Sequence, residues 1–251
     1  MKKFIAFDID DTLAVSKQPI SEQMNGLLDK LMEKYEVCVI SGGIFSVHKQ
    51  QIIDPMTSAG TGNLGKLHVL STCGTQYFKQ QDDKSWDTIY KQAIPETDRK
   101  KIAETLESVA RELGYWEENP AGEIIEDRET QVTFSALGQK ASPEDKYAWD
   151  PDHIKKYALR DKAQALVPEY EFRAGGTTSI DVTQKGVDKA FGMRELMQLN
   201  NLDKSDILFI GDNLKPGGND YPVKEMGIDT IAVERWEDTA LVIETILKIT
   251  N

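Results

Sequence analysis

Phe4-Ile-Ala-Phe-Asp8-Ile-Asp10-Asp11-Thr12 decides the reading of this chain, because an apolar run ends there in two carboxylates set two residues apart. Such a run reads as an interior strand of a parallel sheet. Side chains alternate along an extended segment, so Asp8 and Asp10 share a face only while the strand holds. Beyond its end the turning chain can aim both into a crevice. That arrangement suits a nucleophile working with a general acid, although an acidic pair after a strand also caps helices and solvates turns.

A second apolar run, Ile207-Leu-Phe-Ile210, leads to Gly211-Asp212 and, after a Gly-rich turn, to Asn219-Asp220. Two acidic strand ends laid side by side make an oxygen-only pocket suited to a hard divalent ion such as Mg2+. Folding alone requires neither cluster.

Taken with Ser41, which follows the apolar run 36–40, and with Lys189, these segments resemble the haloacid dehalogenase superfamily of phosphotransferases in all four of its motifs. The resemblance implies that Asp8 attacks phosphorus to form an aspartyl-phosphate and that Asp10 is the acid and base. It implies that Ser41 and Lys189 hold the transferring group. It makes Asp212, Asp8 and the Asp10 carbonyl the Mg2+ ligands, with Asn219 and Asp220 behind them. Asp11 departs from the pattern, since many relatives have Gly there; an extra cap or an adjustment of the local field are both open. Phosphoryl transfer spreads negative charge over equatorial oxygens, so catalysis is mostly positioning and neutralisation. A carboxylate nucleophile needs no activating base because it is already ionised near neutral pH.

The remainder of the chain supplies a frame for such a site. Ser21 caps a helix that places Met24, Leu27, Leu28, Leu31 and Tyr35 on one face, and helix then leads to strand in a βαβ unit. A helical piece starts near Ile44, and residues 66–70 read as a further strand. From about Ile94 the pattern changes. Pro95 and Thr97 open an amphipathic helix with Ile102, Leu106, Val109 and Leu113 inward and Gly114 as terminator. Extended pieces at 123–128 and 130–136, a helical stretch from Ser142 to about Leu166 broken near Asp150-Pro151, and extended pieces at 171–172 and 177–182 follow. Helix resumes over 186–199, Ile207 returns to the parallel sheet, and a strand at 230–234 and a helix at 241–249 close the chain. The expected fold is therefore α/β: a Rossmann-like parallel-sheet core, residues 1–90 and 185–251, with an α+β cap domain inserted over residues 91–184.

The inserted segment is expected to set specificity, since the core motifs handle only the phosphoryl group. Thr177, Ser179 and Asp181 alternate with Thr178, Ile180 and Val182, and Gln131, Thr133 and Ser135 alternate with Val132 and Phe134. This gives a polar face fit to roof a wet cleft, as any half-exposed antiparallel sheet also has. Residues 128–139, Gly175-Gly176 through Lys189, and Pro216-Gly217-Gly218-Asn219-Asp220 resemble the type IIB cap and metal loop of eukaryotic-type phosphomannomutases. That resemblance makes Arg128, Ser179 and Asp181 residues that hold the far end of a substrate. Lys17 and Gln139 fall where the mutases have arginines, and Lys140 is a partial substitute. A mutase must grip a second phosphate, which arginine does with a bidentate fork that glutamine lacks.

The leading expectation is a Mg2+-dependent phosphatase of a phosphorylated sugar or similar small metabolite. A phosphomannomutase is the alternative and a non-catalytic ligand-binding relative a lesser one. The 251 residues, 39% hydrophobic and 29% charged, are ordinary for a soluble protein, and a net charge of −12 argues against nucleic-acid and anionic-membrane partners. No apolar run approaches membrane-spanning length, and Met-Lys-Lys runs straight into the first strand, so a cytoplasmic enzyme is expected. Cys38 and Cys73 have no zinc or disulfide spacing and read as reduced thiols. His48, His68 and His153 are scattered and read as structural or exposed.

Overall fold

Strand β1 (Phe4–Phe7) is buried along its whole length in the computed structural model, which describes residues 2–60, 62–175 and 177–250. Gly176 of the cap motif lies outside the described residues. Next come α1 (Glu22–Lys34), β2 (Glu36–Ile40), two short helices α2 (Phe45–His48) and α3 (Asp54–Ser58) joined by a π-helical turn, and β3 (Leu67–Ser71). Ser21 starts α1 by accepting a hydrogen bond from Met24 N at 3.2 Å. This satisfies an N-terminal amide that has no partner within the helix.

Strands β4 (Gln76–Gln80) and β5 (Trp86–Lys91) come next, in a stretch for which the sequence suggests no element. Both are rich in polar residues and lie at the margin of the sheet, β4 antiparallel to β3 and β5 antiparallel to β4. One device ties β4 in: the Tyr77 hydroxyl meets His68 Nδ1, while His68 Nε2 donates to Glu36 Oε2 at 2.8 Å. The chain then forms α4 (Glu96–Glu112), β6 (Ile125–Asp127), β7 (Val132–Ser135), α5 (Pro143–Trp149), α6 (Ile154–Leu166), β8 (Tyr170–Ala174) and β9 (Ser179–Gln184). It ends with α7 (Lys189–Asn200), β10 (Ile207–Gly211), α8 (Tyr221–Glu225), β11 (Asp229–Ala232) and α9 (Trp236–Ile249).

These elements form two compact units, Met1–Lys91 with Val187–Asn251, and Gln92–Gly186. In the first, a seven-stranded sheet runs in the order β11-β10-β1-β2-β3-β4-β5, parallel from β11 to β3. Alternation sends Ile5, Phe7, Val37 and Val39 to the side covered by α1 and α9, and Phe4, Ala6, Cys38 and Ile40 to the side of α7 and α8. Because both faces are covered, the central strands are apolar throughout. From β1 the chain steps to β2 on one side and later returns to β10 on the other, so β1 and β10 flank the point where the winding reverses. Crevices beyond the carboxyl ends of strands at such a point are where open α/β sheets bind ligands.

The second unit holds a four-stranded antiparallel sheet, β6-β7-β9-β8. Its apolar face, with Val132, Phe134, Ile180 and Val182, packs with Ile102 and Leu106 of α4 and Leu159 of α6. Among the described residues, no helix is long and apolar enough to cross a membrane.

Candidate active site

Asp8 is the first residue beyond β1, and its amide still donates to Ile210 O of β10 at 3.1 Å, so the ladder fixes the backbone to the position of the carboxylate. Its side chain is buried and meets Lys189 Nζ at 2.7 Å through Oδ1. Lys189 is the first residue of α7, whose start is set by Asp188 accepting from Phe191 N at 2.7 Å. The ammonium, itself 1% exposed, also meets Asp220 Oδ1 at 2.6 Å. Asp220 is anchored in turn, Oδ2 accepting from Asn213 N at 3.1 Å.

Carboxylate oxygens of Asp8, Asp212 and Asp220 lie within 4.8 Å of one another. Three acids around one ammonium leave negative charge uncompensated in a buried place. Burial lifts Asp8 to about 7 against the opposing pull of Lys189, with Asp220 adding to the rise. Burial and then Asp220 raise Asp212 as well. Burial acts to lower the pKa of Lys189, but Asp8 and Asp220 outweigh it and hold the lysine charged. An all-oxygen donor set with excess negative charge fits a hard divalent cation such as Mg2+.

Asp10 stands apart from this cluster. Its Oδ1 accepts from Lys17 N at 2.7 Å and from Gln51 Nε2 at 3.0 Å, so its carboxylate is aimed by the loop that follows β1. Gln51, buried, also donates to Gln18 O at 3.3 Å and stitches that loop to the π-helical turn. Lys17 contributes its backbone here and leaves its side chain exposed. Asp11 takes a left-handed conformation with φ 59°, and its Oδ1 accepts from Ser16 N at 3.1 Å, so the extra acid closes the loop. Thr12, fully buried, donates to Asp212 Oδ1 at 3.4 Å. Of the pair at 219 and 220, Asn219 is exposed and Asp220 is fully buried in the acid cluster itself, not behind it.

Ser41 follows β2, the strand beside β1, and its Oγ accepts from Gly43 N at 3.1 Å. His48 Nε2 lies 3.2 Å from the same oxygen. Burial pushes this histidine down to about 4, so its ring is neutral. Thr12 lies within the opening motif, whereas Gln51 and His48 carry no motif spacing. Both sit in the polar run His48-Lys49-Gln50-Gln51, where nothing in the sequence sets them apart from their neighbours.

Glycines give the site its closeness. A Cβ on Gly211 would collide with the Asp220 carboxylate, and one on Gly218 with the Asn213 carbonyl. Gly211→Ala should therefore push Asp220 off Lys189, lowering stability by about 1–3 kcal/mol as overpacked sites do. Thermal denaturation and turnover measured together check this, and an unchanged protein would mean that the loop has slack.

In the second unit, Arg128 donates to Glu126 Oε2 through Nε at 2.9 Å and through a terminal nitrogen at 2.6 Å. Asp181 Oδ1 accepts from Gln131 Nε2 and from Thr133 Oγ1, each at 2.7 Å. Burial raises Asp181, opposed by the Thr133 hydrogen bond and by Arg128. The polar face expected to be wet is buried at Gln131, just before β7, and at Thr133 and Ser135 of β7, which stand opposite β9. Ser179 pairs with Ser135 across the ladder. Lys140 is exposed, and Gln139 Nε2 is buried without a hydrogen-bond partner among the described residues.

The sheet order and the acids at its carboxyl edge define an α/β enzyme. Over residues 5–223 the sequence matches the haloacid dehalogenase-like hydrolases, and the chain belongs to that family. It is 29% identical to a phosphomannomutase of Babesia bovis over 89% of this chain and 88% of the relative. To a probable phosphomannomutase of Caenorhabditis elegans it is 26% identical, over 98% and 96%. A solved haloacid dehalogenase-like hydrolase from Bacteroides thetaiotaomicron has the same fold, with TM-score 0.68, 16% identity, and 98% and 100% of the two chains covered.

Proposed function

We propose that the protein is a Mg2+-dependent phosphatase that hydrolyses a phosphorylated sugar or similar small metabolite through an aspartyl-phosphate on Asp8. The observation that carries this reading is the buried Asp8 carboxylate at the end of β1, held against Lys189 with Asp212 and Asp220 beside it. In this reading one Asp8 oxygen attacks phosphorus. Lys189, fixed on its far side by Asp220, neutralises the charge that gathers on the equatorial oxygens. Ser41 holds the same group by a hydrogen bond. Asp10 protonates the leaving oxygen and then takes a proton from water. Both hydrogen bonds to its carboxylate go to Oδ1, so Oδ2 is the oxygen that would carry the proton. Asp8, Asp212 and the Asp10 carbonyl would hold Mg2+, which when bound supplies further positive charge to the phosphoryl oxygens.

Residues 92–186 are assigned the role of a cap that recognises the rest of the substrate through Arg128, Ser179, Asp181 and Lys140, with Lys17 contributing from the core. The two reduced cysteines suit a cytoplasmic enzyme. Mutase activity is the second reading, favoured by the phosphomannomutases among the relatives. The hydrolase is preferred because Gln139 and Lys17 stand where a mutase would place arginines for a second phosphate.

Mannose 1-phosphate, followed with and without a sugar bisphosphate, separates the two. Release of inorganic phosphate is the expected result, and accumulation of mannose 6-phosphate would replace hydrolase with mutase. EDTA should remove turnover and Mg2+ restore it.

A further inference from the structure

His48 is fully buried at the end of α2, and no step of the proposed chemistry uses it. Its two ring nitrogens have contrasting surroundings. Nε2 faces Ser41 Oγ at 3.2 Å, while Nδ1 lies 3.1 Å from Ile44 O and 3.4 Å from the buried Ser71 Oγ. A neutral imidazole carries one N–H, and its position decides what Ser41 can do.

With the proton on Nδ1, the ring donates to Ile44 O and its Nε2 lone pair takes the Ser41 O–H. Ser41 then shows only a lone pair to anything in front of it, which repels an anionic oxygen. With the proton on Nε2, the ring donates to Ser41 Oγ, and Ser71 donates to Nδ1. Ser41 Oγ now accepts from Gly43 N and from His48, which fills its two acceptor positions and frees its O–H to donate outward. Ile44 O is not orphaned by the change, because the amides of Val47 and His48 donate to it at 2.9 and 3.3 Å. The first tautomer leaves the buried Ser71 O–H without Nδ1 as acceptor, and the second gives up the Nδ1–H bond to Ile44 O, so each exchanges one hydrogen bond for another and an anion in front of Ser41 can decide between them.

We propose that His48 is a positioning residue whose tautomer directs the Ser41 hydroxyl proton toward a bound phosphoryl group. The inference rests on the reading of Ser41 as a side chain that holds that group. Ser71 is the partner that makes the second tautomer available.

The test is a double-mutant cycle with p-nitrophenyl phosphate as substrate. Ser41→Ala should lower kcat/KM by about 10- to 100-fold, the scale of one hydrogen bond to a charged group. His48→Phe should cost a similar factor in the wild-type background and less than about twofold in Ser41→Ala. His48→Gln, whose amide can reach Ser41 Oγ, should recover part of the loss. Equal losses from His48→Phe in both backgrounds, or none in either, would overturn the proposal.

A second measurement needs no variant. Nitrogen-15 NMR of labelled histidine in the wild type should show the His48 proton on Nδ1 without ligand and on Nε2 with Mg2+ and orthovanadate. An unchanged tautomer with vanadate bound refutes the mechanism even if His48→Phe fails to fold. The reading of Ser41 fails separately, on Ser41→Ala alone: full activity there would remove it and this inference with it.

Discussion

Asp8→Asn should abolish turnover, with a loss of about 10^4-fold or more, as when other enzymes lose a covalent nucleophile. The change is isosteric, and an amide oxygen can still accept from Lys189, so the geometry of the contact at 2.7 Å survives. What disappears is an oxygen nucleophilic enough to attack phosphorus. The variant also takes one negative charge out of a group of three acids, two of them buried, so its metal-free melting temperature should be unchanged or higher. Activity and stability thus move in opposite directions, which a misfolded variant cannot imitate. Substantial turnover by a well-folded Asp8→Asn protein would rule out the covalent route.

Lys189→Met should damage both properties. The methionine fills the space, but Asp8 and Asp220 then face each other without the ammonium that now contacts both. Breaking a buried ion pair by removing one partner costs about 3–5 kcal/mol, and turnover should fall by about 10^2-fold or more through the lost neutralisation of the phosphoryl group. Adding Asp220→Asn relieves part of the charge and should restore part of the stability in urea denaturation, but none of the activity. If the double variant regained turnover, the role of Lys189 would be structural alone.

How much of this was legible in the sequence depended on whether the signal was local. The apolar runs ending at Asp8 and Asp212 identified adjacent parallel strands, and the fold is the α/β type they implied, because covered faces demand uninterrupted apolar stretches. Helix α1 could be placed from Ser21 and the spacing of its leucines. Strands β4 and β5 left no such trace, since their Gln, Lys and Asp residues obscure the alternation at the margin of the sheet. The π-helical turn at Lys49–Ile53 has no composition of its own, yet it delivers Gln51 to Asp10. Thr12 and His48 likewise act through contacts made only when strand ends meet. The family resemblance singled out Lys189 and set Asp220 behind the metal ligands, but a sequence does not show that the Asp220 carboxylate holds the Lys189 ammonium.

Gly74 and Gly192 meet where the turn after β3 touches the first half of α7, so tightly that a Cβ on either would strike the other's backbone. Both glycines belong to the parallel-sheet unit, as do Asp8, Lys189 and Asp220. The mounting of the lysine is therefore encoded wholly outside residues 92–186. If the proposed reading holds, exchange of that inserted stretch between paralogues, or its redesign for a new metabolite, would proceed without retuning this fulcrum, leaving phosphoryl chemistry and molecular choice free to diverge at separate rates.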